Sequence, residues 1–298
     1  MRPIPFYGDE EPVPLAWQRC SVSYSSAADK RNDSLFEALA GQCRRGYWAG
    51  RWLLRHPAKC SDLLRAQLRL RHARRQGEVV TLDGIKVRLR PEYSLRLARD
   101  LLAGTYATSE RQLVHDALRA DDRVMEIGAG IGVLTALCAQ RVGSERVHAY
   151  DAHPDMVLAA QETCALNDVS PEITHCALGR VAGARSLYVG PLLGEGARGG
   201  ASRKLTVPGA TLSDAICHHR PTLLIIDVEG GECELVKDAI GLRVPKILIA
   251  FHPHLLGPLA VMRARRAFAQ AGYAAVSQSM DGNRVLYRCL HRAAPTLT

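Results

Sequence analysis

The stretch Val124-Met125-Glu126-Ile127-Gly128-Ala129-Gly130-Ile131-Gly132-Val133-Leu134-Thr135 reads as a short apolar strand that runs through glycines into a helix. A strand ending in a glycine turn lets backbone approach a ligand closely, and the helix that follows offers unpaired N–H groups at its positive end. That combination points to a nucleotide or nucleoside site. A dinucleotide site wants G-x-G-x-x-G/A, with the third small residue where the helix packs on the strand. Here the third glycine comes one place early, at Gly132, and Val133 fills that slot. An acid, Glu126, also stands inside the strand end, where the dinucleotide pattern asks for none. A tight turn with no ligand is the plainer alternative.

With Gly128, Gly130 and Gly132, Glu126 spells the E/D-x-G-x-G-x-G of S-adenosylmethionine enzymes. Toward the C-terminus, a helical period over Val133–Ala139 leads to the strand Val147–Tyr150 and then to Asp151. That carboxylate lies about twenty residues beyond the glycines at a second strand end, where it can accept a pair of hydrogen bonds from a ribose diol. Capping the helix that starts near Pro154 is its alternative use. The pattern continues with a helix Met156–Leu166, a strand Glu172–Ala177 and an extended segment Ser186–Val189. A Gly-rich run, Pro191–Ser202, predicts a mobile loop over the site. Thr211-Leu212-Ser213-Asp214 opens a short helix, and the buried strand Leu223–Ile226 delivers Asp227 at its carboxyl end. A helix Glu232–Ala239, a strand Ile247–Phe251, a helix Leu259–Ala271 and a hairpin, Tyr273–Ser279 with Arg284–Leu290 about Asp281-Gly282, complete the winding. Parallel strands with crossover helices that finish in a hairpin predict an α/β fold: a doubly wound, mostly parallel seven-stranded sheet with one reversed strand. Ligands of such sheets bind beyond the carboxyl ends of the strands.

Toward the N-terminus, period-two runs Val79–Leu82 and Ile85–Leu89 flank Asp83-Gly84, a hairpin signal. A helix through Leu95 to Leu102 ends at Gly104, and Ser109 with Gln112 predicts a capping box for a helix Glu110–Leu118. The chain before Glu78 has a different character. Residues 1–35, with prolines and a polar tract, predict an arm, partly disordered or draped over the core. Apolar periods at Leu35–Ala40 and Tyr47–Leu54, a break at Pro57 and a second helix from Ser61 predict an N-terminal helical extension. The expected domains are therefore residues 1–77, an arm with basic amphipathic helices, and residues 78–298, a catalytic domain. Of the formal net charge of +9, ten Arg or Lys against three Asp or Glu lie between Phe36 and Val80. All three tryptophans, Trp17, Trp48 and Trp52, precede residue 60. A basic, Trp-bearing amphipathic segment suits a membrane surface or a docking partner, with packing on its own catalytic domain or in a homodimer through residues 36–76 the plainer use. Nine cysteines without a C-x-x-C pair signal neither zinc nor a disulfide framework. Met1–Pro14 lacks the apolar core of a secretory signal, and no apolar run nears the roughly 20 residues that cross a bilayer, so the expected location is the cytoplasm, with peripheral membrane contact left open.

Asp227-Val228-Glu229-Gly230 is the second organising motif. It stands with Gly104-x-Tyr106-x-x-x-Glu110, the glycine motif, Asp151, Cys176-Ala177-Leu178-Gly179, Thr211-Leu212-Ser213-Asp214, a following Glu232 and Phe251-His252-Pro253. Together these resemble the FkbM-type O-methyltransferases from Gly104 to His254. The family usually places Asn where Gly130 stands and often an acid where Ala250 stands. The resemblance implies a class I methyltransferase fold, S-adenosylmethionine as cofactor, and methylation of a hydroxyl on a sugar, glycan or glycosylated natural product. It implies a cofactor site of Glu126, Gly128, Ala129, Gly130, Gly132, Asp151, Ala152, Ala177, Leu178 and Asp227. The amino-acid portion would lie near Glu126, Gly128 and Gly130, the ribose on Asp151, and the adenine on the backbone around Ala177.

Methyl transfer is an in-line displacement, so the protein must align the acceptor and help remove its proton. Asp227 is the first candidate for base and His252 the second, with Glu229 beside them. A carboxylate needs burial to raise its pKa toward a useful base, whereas histidine is near it already. A helix cap for Asp227 and a turn for His252 are the structural alternatives. A divalent metal on Asp227, Glu229 and His252 is the less favoured arrangement, and no metal site is expected. Two other readings remain. RNA methylation would use the positive charge, but nucleic-acid base methylases carry Asn or Asp, two prolines and an aromatic where this chain has Asp227-Val228-Glu229-Gly230. A non-catalytic module of the same fold would bind a membrane or partner through the basic segment, against which stand Glu126, Asp151 and Asp227.

Overall fold

The structure, a computed structural model, describes residues 57–189 and 203–290. The expectations for the N-terminal arm, the helix over 35–54, the three tryptophans and the loop Pro191–Ser202 fall outside these residues. The chain divides into two compact units, Met1–His72 and Ala73–Thr298. Helix α1 (Pro57–Gln76) begins at the proline rather than at Ser61. Proline at a first helical position gives up an N–H that has no helical partner there, so Pro57 suits the first position of this helix. Among the described residues, no helix is long and apolar enough to cross a membrane.

The second unit begins with the hairpin β1 (Val79–Leu82) and β2 (Ile85–Arg88). Its turn puts both Asp83 (φ 48°) and Gly84 (φ 89°) in the left-handed region, the requirement of the tight two-residue turn that Asp-Gly signals. Helix α2 (Leu95–Leu102) is capped by the Ser94 side chain and buries Leu97, Ala98 and Leu101. Helix α3 (Thr108–Ala117) starts two residues earlier than expected, and the capping box is absent: its N-cap is Ala107, in a left-handed conformation with no side-chain cap. Arg111 explains the difference. Its guanidinium, buried and paired with Asp83 at 2.7 Å, reaches the carbonyls of Gly104 and Tyr106 at 2.9 and 3.0 Å, so tertiary bonds fix this entry.

The winding that follows contains β3 (Val124–Ile127), α4 (Val133–Val142), β4 (Val147–Asp151), α5 (Pro154–Leu166) and β5 (Glu172–His175). Next come β6 (Ala177–Gly179), β7 (Arg185–Val189), β8 (Arg203–Val207), β9 (Gly209–Thr211), α6 (Leu212–His219) and β10 (Leu223–Ile226). It ends with α7 (Glu232–Gly241), β11 (Lys246–Ala250), the short α8 (Pro253–Leu256), α9 (Pro258–Gln270), β12 (Tyr273–Gln278) and β13 (Arg284–Cys289). The main sheet has seven strands in the order β12-β13-β11-β10-β3-β4-β5. Only β13 runs against its neighbours in it, antiparallel to both β11 and β12. The doubly wound sheet with one reversed strand is thus as expected. Two details differ: the run Glu172–Ala177 splits, its end pairing with β9 as β6, and the extended segment at 186–189 is half of a hairpin with β8.

Burial follows the double winding. All of β3, β10 and β11 is buried, as central parallel strands covered on both faces must be. One core layer joins β10 and β11 with Leu212, Ile216, Leu235, Val236 and Phe268, where Phe268 stacks on Tyr287 with ring centres 3.9 Å apart. Register then positions the site. Ile127 pairs with Tyr150 and with Ile226, and Ile226 with Ile249. Gly128, Asp151, Asp227 and Ala250 therefore leave the sheet at one level, beside the point between β3 and β10 where the winding reverses.

Candidate active site

Each glycine after β3 has its own reason. Gly128 (φ 89°) lies so close to the next strand that a Cβ there would stand 2.0 Å from the Asp227 carbonyl oxygen. At Gly132 (φ 80°) a Cβ would meet the Ala160 Cα of α5 at 2.6 Å. These two let backbone pack on backbone. Gly130 (φ 54°) differs: its Cβ would have one described neighbour within 4 Å, the Tyr106 hydroxyl at 3.3 Å. The middle glycine therefore borders open space under Tyr106. Tyr106 is placed by the Arg111 bonds to the 104–106 segment. Burial, followed by the charges of Asp227, Glu110 and Glu126, raises its pKa well above the ordinary tyrosine value.

Asp151 locks this loop. Its Oδ2 accepts from the Gly130 amide at 2.8 Å and its Oδ1 from the His153 amide at 2.7 Å. Burial nonetheless raises its pKa above the ordinary value against those two bonds. Each oxygen keeps a further lone pair, so the carboxylate can hold the loop and still accept from a diol. Ala152 follows it, half-buried. Ala177 and Leu178 are buried next to this strand end, where the Cys176 amide donates to the Asp151 carbonyl at 3.0 Å. The Ala177 amide donates to Pro208 O at 2.9 Å, and is thereby used within the protein.

Glu126 lies beneath the loop, 1% exposed, and accepts a hydrogen bond from Thr135 in the first turn of α4. Burial pushes its carboxyl up to about 8, the Thr135 bond opposing and the charges of Asp227 and Asp151 adding to the rise. It holds its proton well above the ordinary glutamate range and, through Thr135, props the helix on the strand. The side chain expected near a ligand amino group is thus closed off behind the glycines.

Across the reversal point, Asp227 leaves β10 with its side chain about a third exposed (31%) and its amide bonded to Ile127 O at 2.9 Å. Burial raises its pKa to about 6, with Glu110 adding and with His252 and Arg284 opposing. The Arg284 guanidinium donates to Glu110 at 2.6 Å, tying β13 to α3 behind this carboxylate. His252 enters two residues beyond β11; its Nε2 is 3.8 Å from Asp227 Oδ1 and its Nδ1 is hydrogen-bonded to Glu232. Burial lowers the His252 pKa, but the Glu232 bond and the charges of Asp227, Glu232 and Glu229 outweigh it and the net shift is upward. The two shifts oppose the ordinary order of the pair: the acid holds its proton longer than a free aspartate, and the imidazole gains one more readily than a free histidine. Glu229 is exposed on the turn before α7 and acts on His252 through its charge. Among the described residues, no three His, Cys, Asp or Glu side chains are arranged to hold a metal ion.

The strand ends bring Gly128, Gly130, Asp151, Asp227 and His252 to one end of the sheet, around the reversal point. The site selection from sequence lacked three groups. Tyr106 and Glu232 stood inside quoted motifs without a role. Arg111 carried no signal, because its partners at 83, 104 and 106 are tertiary.

This end of the sheet gathers a glycine loop with one open face, a carboxylate at the end of the second strand, and an acid with a histidine opposite. Residues 103–186 match the family model of ribosomal protein L11 methyltransferase (PrmA). That model differs from the FkbM-type family which the motifs resemble. The ribosomal protein L11 methyltransferase of Geobacter sulfurreducens is 36% identical over 93 residues, which is 31% of this chain and 31% of that protein. The same enzyme of Geobacter metallireducens is 36% identical over 72 residues, 24% of each chain. The aligned stretch thus spans under a third of these relatives. Among solved structures, a methyltransferase from Pyrococcus furiosus superposes with TM-score 0.43 at 13% identity, over 75% of this chain and 98% of that one. An L11 methylase from Lactobacillus delbrueckii superposes with TM-score 0.37 at 13% identity, over 59% of this chain and 73% of that one. The matched family segment runs from the residue after α2 through the glycine loop and Asp151 into β7, and it ends before Asp227, Glu232 and His252.

Proposed function

We propose that this chain is an S-adenosylmethionine-dependent methyltransferase acting on a hydroxyl acceptor. The observation that carries the reading is the Gly130–Asp151 hydrogen bond, which joins an open glycine turn to a carboxylate at the reversal point of a doubly wound sheet. The L11 methyltransferase match over residues 103–186 supports the same cofactor. The residues present suit that group: the backbone of Gly128, Ala129 and Gly130, whose amides bond Tyr150 O and Asp151, would border its amino-acid end, Asp151 would accept from the ribose, and Ala152, Ala177 and Leu178 would flank the base. When bound, S-adenosylmethionine supplies an electrophilic methyl on a sulfonium sulfur.

The chain's own residues do the rest. Asp227, ionised at pH 7 with a pKa of about 6, takes the acceptor proton. His252, with Nδ1 bonded to Glu232 and its pKa shifted upward, is a donor at Nε2 when protonated, and the base role goes to Asp227. Tyr106 closes the open side of the glycine loop, and Glu126 holds that loop from below. A hydroxyl on a sugar, glycan or glycosylated natural product is the acceptor class we favour, on the FkbM-type resemblance of the Asp227-to-His252 half.

A protein acceptor is the second reading, favoured by the L11 methyltransferase names of the relatives. The matched segment lies on the cofactor side, whereas acceptor choice belongs to the strand ends and loops after Asp227. Calorimetric titration with S-adenosylmethionine and with NAD, followed by transfer of labelled methyl to glycoside and to ribosomal-protein acceptors, tests both. Absence of S-adenosylmethionine binding by the wild-type chain removes the methyltransferase reading, and label on protein alone replaces the hydroxyl acceptor with the second reading.

A further inference from the structure

Glu232, His252 and Asp227 form a row beyond the ends of β10 and β11, on one side of the reversal point of the sheet. Glu232 is the first residue of α7 and is fully buried, with Oε1 bonded to His252 Nδ1. Its Oε2 is buried and has no hydrogen-bond partner among the described residues. A buried carboxylate left half satisfied is an expensive way to pack a helix start, where an apolar side chain would serve. Among the described residues, the His252 imidazole is the one group that the Glu232 side chain bonds. His252 remains 14% exposed, and the 3.8 Å from its Nε2 to Asp227 Oδ1 is too long for a direct bond. It is short enough for both atoms to reach one oxygen placed alongside them.

We propose that Glu232 is a positioning residue: it fixes the His252 ring through Nδ1, so that Nε2–H is a stationary donor beside Asp227 and the two orient one acceptor oxygen. The proposal rests on the methyltransferase reading and names the hydrogen bonds that would aim the nucleophile. The acceptor hydroxyl accepts from Nε2–H and donates to Asp227 Oδ1. When the O–H bond breaks, the proton goes to Oδ1, the electron pair stays on the acceptor oxygen, and the adjacent imidazolium faces the charge that develops there. The charged and titratable groups facing His252 are Asp227, Glu232 and Glu229, with the His254 ring centre 5.8 Å away. The three acids together shift the ring toward its protonated form against the effect of burial.

The test follows the His252 ring signals by NMR in the full chain, with His252→Gln for assignment, and compares wild type with Glu232→Gln across pH. The expected result is a downfield Nδ1 proton in wild type that is lost in Glu232→Gln, with the ring titrating about one pH unit lower or more. Identical ring titrations in the two proteins overturn the proposal. With S-adenosylmethionine and the acceptor found by the methyl-transfer screen, Glu232→Gln is expected to lower kcat about tenfold or more while the affinity for S-adenosylmethionine stays the same. A kcat equal to wild type overturns the proposal even if the titration moves. Should Glu232→Gln fail to fold by circular dichroism, His252→Gln, at the less buried partner, carries the turnover measurement with the same two outcomes. Failure of the wild-type chain to bind S-adenosylmethionine is a different result: it removes the methyltransferase reading, and the ring titration still decides whether Glu232 holds His252.

Discussion

The Gly130 amide donates to Oδ2 of Asp151 at 2.8 Å, so two features 21 residues apart in the chain form one unit. The carboxylate shapes the turn that it works beside. Asp151→Ala should therefore do two things at once, freeing the Gly130 and His153 amides and removing the diol acceptor. The expected loss of S-adenosylmethionine affinity is about tenfold or more, with about 1–2 kcal/mol of stability. Calorimetry and thermal melting measure the two separately. An unchanged dissociation constant would take Asp151 out of the site.

The three glycines make a graded series. Gly128→Ala would set a Cβ 2.0 Å from the Asp227 carbonyl oxygen, and Gly132→Ala one 2.6 Å from the Ala160 Cα. Backbone cannot yield locally at either place, so a cost of about 2–4 kcal/mol and a clear fall in Tm are expected. Gly130→Ala meets a side-chain hydroxyl at 3.3 Å, with φ at 54°. Alanine reaches that conformation at roughly 1–2 kcal/mol, so this variant should fold while losing affinity for S-adenosylmethionine. Equal destabilisation by all three would make Gly130 a packing glycine like its neighbours.

Strand ends were legible because burial leaves few options. A run such as Leu223–Ile226, followed at once by Asp227, can only be a covered strand that surfaces at its carboxyl end, and the register then aligns Asp151 with it. Asp83-Gly84 was legible for a local reason, its need for two positive φ values. The start of α3 was not, because Arg111 and Asp83 override the Ser109–Gln112 signal through space. Glu232 looked like a helix-start acid, its usual local role; its bond to His252 spans 20 residues and exists only once β11 lies beside β10. The burial of Glu126 was hidden for a related reason: one strand position separates a side chain under the loop from one in the crevice.

Asp227 sets an expected pH dependence. Its pKa is raised to about 6 by burial, so kcat/KM should rise with pH through that value as the carboxylate forms. The same rate should fall again above the raised pKa of His252 if the imidazolium is the required donor. The two limbs belong to the interacting pair. Asp227→Asn should lower kcat by about 10²- to 10⁴-fold. An acid limb at the ordinary aspartate value, or one that persists in Asp227→Asn, would assign the base elsewhere.

Glu126 sets a dependence of stability on pH that needs no substrate. Its folded pKa of about 8 exceeds the ordinary glutamate value, so the native state holds a proton that the unfolded chain releases more easily. The stabilisation is complete below the unfolded value and is lost as pH rises through the folded one. Between those limits the slope is about 1.4 kcal/mol per pH unit, with stability decreasing as pH increases. Glu126→Gln cannot ionise, and its side-chain oxygen can still accept from Thr135. Its chemical denaturation midpoint should therefore change less than that of wild type between pH 6 and about 8, and the two curves should diverge with the variant the more stable at the alkaline end. Parallel curves would mean that Glu126 is already ionised in the folded protein. In that case the carboxylate under the glycine loop would carry a full charge toward the crevice, and its expected role beside a ligand ammonium group would return.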